Sequence, residues 1–156
     1  MNVEHLTQQL QEFAKDRKEI AAIYLFGSYA ARKSRKDSDI DIALLIADET
    51  KDFFDLGIKL DGELSRFTSN YKIEVIVLNG VSLRFQFEVI STGKLLVCND
   101  DHFRIGWQVN MLTRYWDIKL FWKEWDRTYF ERMKRGFTDA QRRQYQRARE
   151  TLAATH

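Results

Sequence analysis

No proline occurs among the 156 residues, and glycine occurs only seven times. From Asp101 to Arg135 the one residue that weakens a helix is Gly106, so a single long helix is expected there, stopped by Gly136. The only cysteine, Cys98, excludes an internal disulfide and fits a reducing compartment. His5, His102 and His156 are scattered, and no Cys/His spacing of the zinc-binding kind occurs. No apolar run reaches the roughly 20 residues of a membrane helix, and the N-terminal stretch containing Glu4 lacks the apolar centre of a signal peptide. A cytoplasmic protein that engages no membrane is the expectation. A strong charge of one sign is also lacking, since the formal net charge is +2. That charge is divided unevenly: residues 1–100 carry 13 Lys and Arg against 16 Asp and Glu, whereas residues 101–156 carry 12 against 7. The 44% hydrophobic content supports a core and excludes a disordered chain, and the length suits one compact domain with an appendage.

Hydrophobic spacing divides the first hundred residues into alternating elements. Val3, Leu6, Leu10 and Phe13 recur three or four apart, so Val3 to Lys18 reads as an amphipathic helix that covers one face of a sheet. Ile20 to Phe26 and Ile40 to Ile46, rich in branched side chains, read as strands. Helical spacing returns from Asp48 to Phe67 through Leu56, Leu60 and Leu64. Tyr71 to Leu78 alternates as a third strand, with Ile73, Val75 and Val77 on one face and Glu74 and Ile76 on the other. Ser82 caps a short helix over Leu83 to Ser91, Gly93 lies beyond its end, and Lys94 to Val97 forms a final edge strand. The chain is therefore expected to hold an α+β domain over residues 1–100 and an aromatic-rich, basic helical extension over residues 101–156.

The chemistry concentrates between the first two strands. The apolar run stops at Gly27-Ser28, and the second run opens with Asp39 and Asp41, two residues apart and therefore on the same strand face. Two close carboxylates repel each other unless a cation lies between them, so the spacing points to a divalent metal, with magnesium the expected ion. Gly27 lets the backbone approach a ligand without a Cβ in the way, and Ser28 offers a hydroxyl and a backbone N–H to a phosphate. Ser38 is placed to set the loop by bonding neighbouring backbone, while Arg32, Arg35 and Lys36 in the spacer either neutralise phosphates or keep an exposed loop solvated. Glu74 interrupts an apolar strand, an expensive place for a carboxylate unless it is exposed, paired or bound to metal.

Gly27-Ser28 followed by Ser38-Asp39-Ile40-Asp41 resembles the G-S-x(9)-[ST]-D-x-D signature of the polymerase-β-like nucleotidyltransferases. In particular it is similar to the minimal nucleotidyltransferases, or MNT proteins, often encoded beside HEPN-family toxins. The resemblance covers about Ile20 to Val97. It implies a small mixed sheet with helices packed on it. Asp39, Asp41 and Glu74 would be the catalytic carboxylates that hold two Mg2+ ions, and Gly27, Ser28, Ser38, Arg32 and Lys36 would bind the nucleotide. Two departures stand out: Arg32 occupies a position where many relatives have glycine, and Glu74 one where the family usually has aspartate. The implied activity is transfer of AMP from ATP to an acceptor hydroxyl, a tyrosine of a HEPN ribonuclease toxin. Two other readings remain: an antitoxin acting by binding alone, and a nucleotidyltransferase for a small molecule of the aminoglycoside kind.

The long helix contains all four tryptophans. Phe103, Trp107, Met111, Tyr115, Ile118, Trp122, Trp125, Tyr129 and Met133 form one stripe, widened by Val109, Leu112, Trp116, Leu120 and Phe130. One domain cannot easily cover so broad a stripe, so the helix over residues 101–135 is expected to meet a second copy or another protein. Thr138 to Gln141 has the form of a capping box that opens a further helix to about Ala153. Its arginines, from Arg142 to Arg149, read as a solvated face, and direct binding of nucleic acid is not expected.

Overall fold

A computed structural model describes residues 2–31, 38–47, 52–68 and 71–134, with side chains through residue 124 and at 127 and 128. The expected further helix from Thr138 with its arginines, and the side chains of Trp125, Tyr129, Phe130 and Met133, lie outside this description. In chain order the elements are α1 (Val3–Ala14), β1 (Ile20–Phe26), α2 (Gly27–Ala30), β2 (Ile40–Ile46), α3 (Phe53–Phe67), β3 (Ile73–Val77), α4 (Leu83–Thr92), β4 (Lys94–Cys98) and α5 (Asp101–Lys134). The four strands form one sheet in the order β3-β2-β1-β4. β1 is antiparallel to both β2 and β4, and β2 runs parallel to β3, so the sheet is mixed and the fold is α+β.

The alternation of side chains along the strands divides the core in two. On one face Ile23, Leu25, Ile42, Leu44 and Val75 pack with Leu6, Leu10 and Phe13 of α1 and with Leu60 and Leu64 of α3. On the other, Ala22, Tyr24, Ala43 and Leu45 meet Val89 of α4 and the partly buried Phe103 and Trp107 of α5. The small alanines on the second face let these bulky rings approach the sheet closely.

Helix ends are set by named side chains. Asn2 caps α1 through Oδ1, which accepts from the amides of Glu4 and His5 at 3.0 and 3.3 Å. The first helix stops at Ala14, short of the expected Lys18, where the chain turns: the Ala14 carbonyl accepts from the Arg17 amide at 3.1 Å and from Nδ2 of Asn99 at 2.8 Å. Asp52 caps α3, so the expected helix from Asp48 begins at Phe53, and residues 48–51 lie outside the description. Ser82 caps α4 and Gly93 follows it, as the sequence indicates. Asn79 ties down the end of β2, its side-chain amide exchanging bonds with Ile46 N and O at 2.8 and 3.0 Å.

Compact packing extends into α5. The first compact unit runs through Tyr115 and the second begins at Trp116. Met111 is buried in the first unit, and the rings of Phe87 and Tyr115 stack with centroids 3.8 Å apart. No helix among the described residues is long and apolar enough to cross a membrane.

Candidate active site

The site is built where three strands end side by side. β2 is an interior strand, and the register places Phe26 of β1 opposite Asp41 on one side and Glu74 of β3 opposite it on the other. Ile40 lies opposite Ile73, which makes Asp39 and Lys72 the preceding cross-strand pair. The segment Asp39-Ile40-Asp41 therefore runs alongside Lys72-Ile73-Glu74, with three carboxylates and one ammonium on the same face. The isoleucines between them point into the core, which is why the sequence tolerates so much charge at the end of an apolar sheet.

Gly27 turns the chain immediately after β1. Its φ of 67° lies in the left-handed region that disfavours other residues. A Cβ at this position would also overlap Oδ2 of Asp41, so glycine is required both for conformation and for space. The backbone N–H of Ser28 bonds to the Asp41 carboxylate. In the folded chain the Asp41 carboxylate lies against Gly27 and beside the Ser28 amide, and Ser28 is half-buried.

Electrostatics single out Asp41. Burial pushes its carboxyl pKa up, the negative charges of Glu74 and then Asp39 push it further, and the Ser28 amide offsets part of the rise. Lys72 has its Nζ 2.7 Å from Oδ1 of Asp39, with 80% of its side chain exposed. Its pKa is raised by that bond and charge and, more weakly, by Glu74. Ser38 is half-buried immediately before Asp39, whereas Arg32, Arg35 and Lys36 lie outside the described residues.

Lys72 is the site residue that sequence reasoning missed. Its signal was the lysine two positions before Glu74, matching the two-residue step of the aspartates. That signal becomes readable only once the parallel register of β2 and β3 is known.

The donors suit a hard cation: carboxylate oxygens whose mutual repulsion is visible in the raised pKa of Asp41. Yet among the described residues no group of three or more His, Cys, Asp or Glu stands ready to hold a metal. The carboxylates are brought to adjacent register positions without being closed around one point. On the outer side of β3 a cleft of about 590 Å³ runs past Glu74, between Phe54 and Ile58 of α3 and Ile76 of the strand. Its open edge is partly blunted by Asp61, whose Oδ1 accepts the Val75 amide at 2.9 Å.

The profile of the family described as polymerase beta, nucleotidyltransferase matches residues 8–102, from α1 to the start of α5. The chain belongs to this family. No curated protein sequence matches it. Among solved structures, a chain of a toxin–antitoxin crystal structure with AMP-PNP superposes with a TM-score of 0.63 at 22% identity, covering 83% of this chain and 99% of that one. A chain from the tri-AMPylated Shewanella oneidensis HEPN toxin in complex with MNT antitoxin gives 0.61 at 20% identity, over 82% and 98%. A third, from a MntA-HepT toxin–antitoxin structure, gives 0.56 at 20% identity, over 83% and 97%. At these identities the likeness is one of fold. This nucleotidyltransferase therefore shares the fold of those chains across most of its own length.

Proposed function

We propose that this protein is a cytoplasmic, Mg2+-dependent adenylyltransferase that moves AMP from ATP to the hydroxyl of a tyrosine on a HEPN-family toxin. The observation that carries this reading is the convergence, on one sheet face, of Asp39, Asp41 and Glu74 beside the Gly27-Ser28 turn. The superposed chains come from a toxin–antitoxin structure with AMP-PNP and from a tri-AMPylated HEPN toxin in complex with MNT antitoxin, which supports the nucleotide and the acceptor.

Magnesium, in the usual arrangement of two ions, would stabilise the negative charge that builds on the attacking and leaving oxygens. Asp39 and Asp41 would hold it, with Glu74 completing the set. The acceptor oxygen forms its bond to the α-phosphorus as the bond to the β-phosphate oxygen breaks, and pyrophosphate departs. Glu74, which borders the cleft outside β3, is placed to take the proton of a hydroxyl arriving from that side. Gly27 and Ser28, which follow β1 on the side of β2 away from Glu74, would position the β- and γ-phosphates, with Ser38, Arg32 and Lys36 as further nucleotide contacts. The exposed apolar residues of α5 from Trp116 onward would engage the toxin or a second copy of the chain.

The test is to incubate the chain with a HEPN protein encoded beside it, ATP and Mg2+, and to read the mass of the intact HEPN protein. An added AMP on a tyrosine, lost with Asp39→Asn and strongly reduced with Glu74→Gln, is the expected result. A second reading, an antitoxin that acts by binding alone, is favoured by the two departures from the family pattern, Arg32 in place of glycine and Glu74 in place of aspartate. It predicts a stable complex, an unchanged toxin mass and full neutralisation by Asp39→Asn. A small-molecule acceptor would show instead as pyrophosphate release with an aminoglycoside and none with the HEPN protein.

A further inference from the structure

We propose that Lys72 is a counter-ion that pairs with Asp39 before nucleotide binds and transfers to the phosphates of the incoming nucleotide, so that cation and nucleotide enter together. This rests on the nucleotidyltransferase reading above and adds to it a positioning residue. Asp39 is held at 2.7 Å by an ammonium from the neighbouring strand, an arrangement fixed by the parallel register that pairs Ile40 with Ile73. The backbone of Lys72 is anchored as well, its carbonyl accepting the Ile40 amide at 2.8 Å, so only the side chain has freedom to move.

That side chain is 80% exposed against 37% for Asp39. An ion pair so exposed is weak and readily displaced, since such pairs contribute little net stability. A divalent cation approaching Asp39 must displace the ammonium or meet its repulsion. Once displaced, Lys72 has no carboxylate left to itself, because Asp41 and Glu74 belong to the same cation site. The nearest new negative charge is the triphosphate carried by that cation, and a lysine on a flexible stem is suited to follow it as a point charge.

The experiment compares wild type with Lys72→Met, which keeps the stem and removes the charge, and with Lys72→Arg. Mn2+ binding to the chain alone is followed by electron paramagnetic resonance of the free ion, and AMP-PNP binding is measured by calorimetry at saturating Mn2+. Lys72→Met is expected to bind Mn2+ alone about threefold to tenfold more tightly, because both the competing pair and a nearby positive charge are gone. The same variant is expected to bind AMP-PNP about threefold to tenfold more weakly, through loss of one phosphate contact. Lys72→Arg should stay close to wild type in both. The opposite signs are what a merely structural lysine would not produce. Unchanged Mn2+ affinity in Lys72→Met, or a shift of both affinities in one direction, overturns the proposal while wild-type binding of both ligands leaves the nucleotidyltransferase reading standing. Failure of wild type to bind either ligand overturns both.

Discussion

The first compact unit and the described part of the second carry similar large apolar side chains in different surroundings. Within the first, Met111 of α5 is only 2% exposed, and Phe103 and Trp107 pack on the alanine-lined sheet face. Beyond it, Leu120 is 72% and Phe121 67% exposed, on the same helix. Hydrophobic spacing therefore reports that a helix has a face to cover and leaves open what covers it. The carboxylates of the first unit are the polar counterpart, Asp39, Asp41 and Glu74 gathered at one end of the sheet with Lys72 beside Asp39. On the proposed function, chemistry and recognition would fall to separate stretches of chain.

The largest effect tests that separation from the chemical side. Asp41→Asn should lower AMP transfer about 100- to 1,000-fold or more, since a charge stabilising the transition state loses its holder. Co-purification with the toxin should be retained. Loss of binding together with transfer would join what the two regions keep apart. Gly27→Ala should come close behind in activity. It also destabilises the fold by about 1–2 kcal/mol from the left-handed backbone alone, before Asp41 is pushed aside, measurable by urea unfolding.

The two parts of α5 offer the next contrast. Met111→Ala is expected to cost about 2–5 kcal/mol of stability, as buried truncations do. Leu120→Ala should change stability by no more than about 0.5 kcal/mol. If Leu120 belongs to an interface, the same substitution weakens association, read by light scattering for a second copy or by pull-down for the toxin. Trp116 and Trp122, 52% and 36% exposed, belong to the same test, because truncating an aromatic at an interface often costs more than about 2 kcal/mol. Equal loss of stability from Met111→Ala and Leu120→Ala would erase the contrast.

What the sequence made legible follows from the range of the forces involved. Strands β1 to β4 and helices α3 and α4 were readable because each is specified by its own apolar period and by a cap within a few residues, as with Ser82 and Gly93. The end of α1 was not, because one of the two donors to the Ala14 carbonyl, Asn99, is 85 positions away, the other being the Arg17 amide. The pairing of Lys72 with Asp39 escaped for the same reason, since it depends on a parallel register that no local pattern encodes. The need for glycine at position 27 was legible in the sequence, and the fold adds that Asp41 packs against it. The motif indicated which residues gather, and only the fold shows which of them already satisfy one another.

The smallest effect is thermodynamic and belongs to Asp41 without metal. Its carboxyl pKa in the folded chain is raised above the ordinary 3.8, so the folded state holds this proton more tightly than the unfolded state. The contribution to stability is complete below the ordinary value and is lost as the pH rises through the elevated one. At neutral pH the ionised Asp41 thus weighs against folding. Asp41→Asn removes that burden and keeps an oxygen to accept the Ser28 amide. In the presence of a chelator the variant should melt at a higher temperature than wild type at pH 7, and the gain should narrow as the pH is lowered towards 4. Added Mg2+ should narrow it as well, by stabilising the wild type more. A gain that is independent of both pH and Mg2+ would mean that packing around the new amide, rather than relief of charge, is responsible.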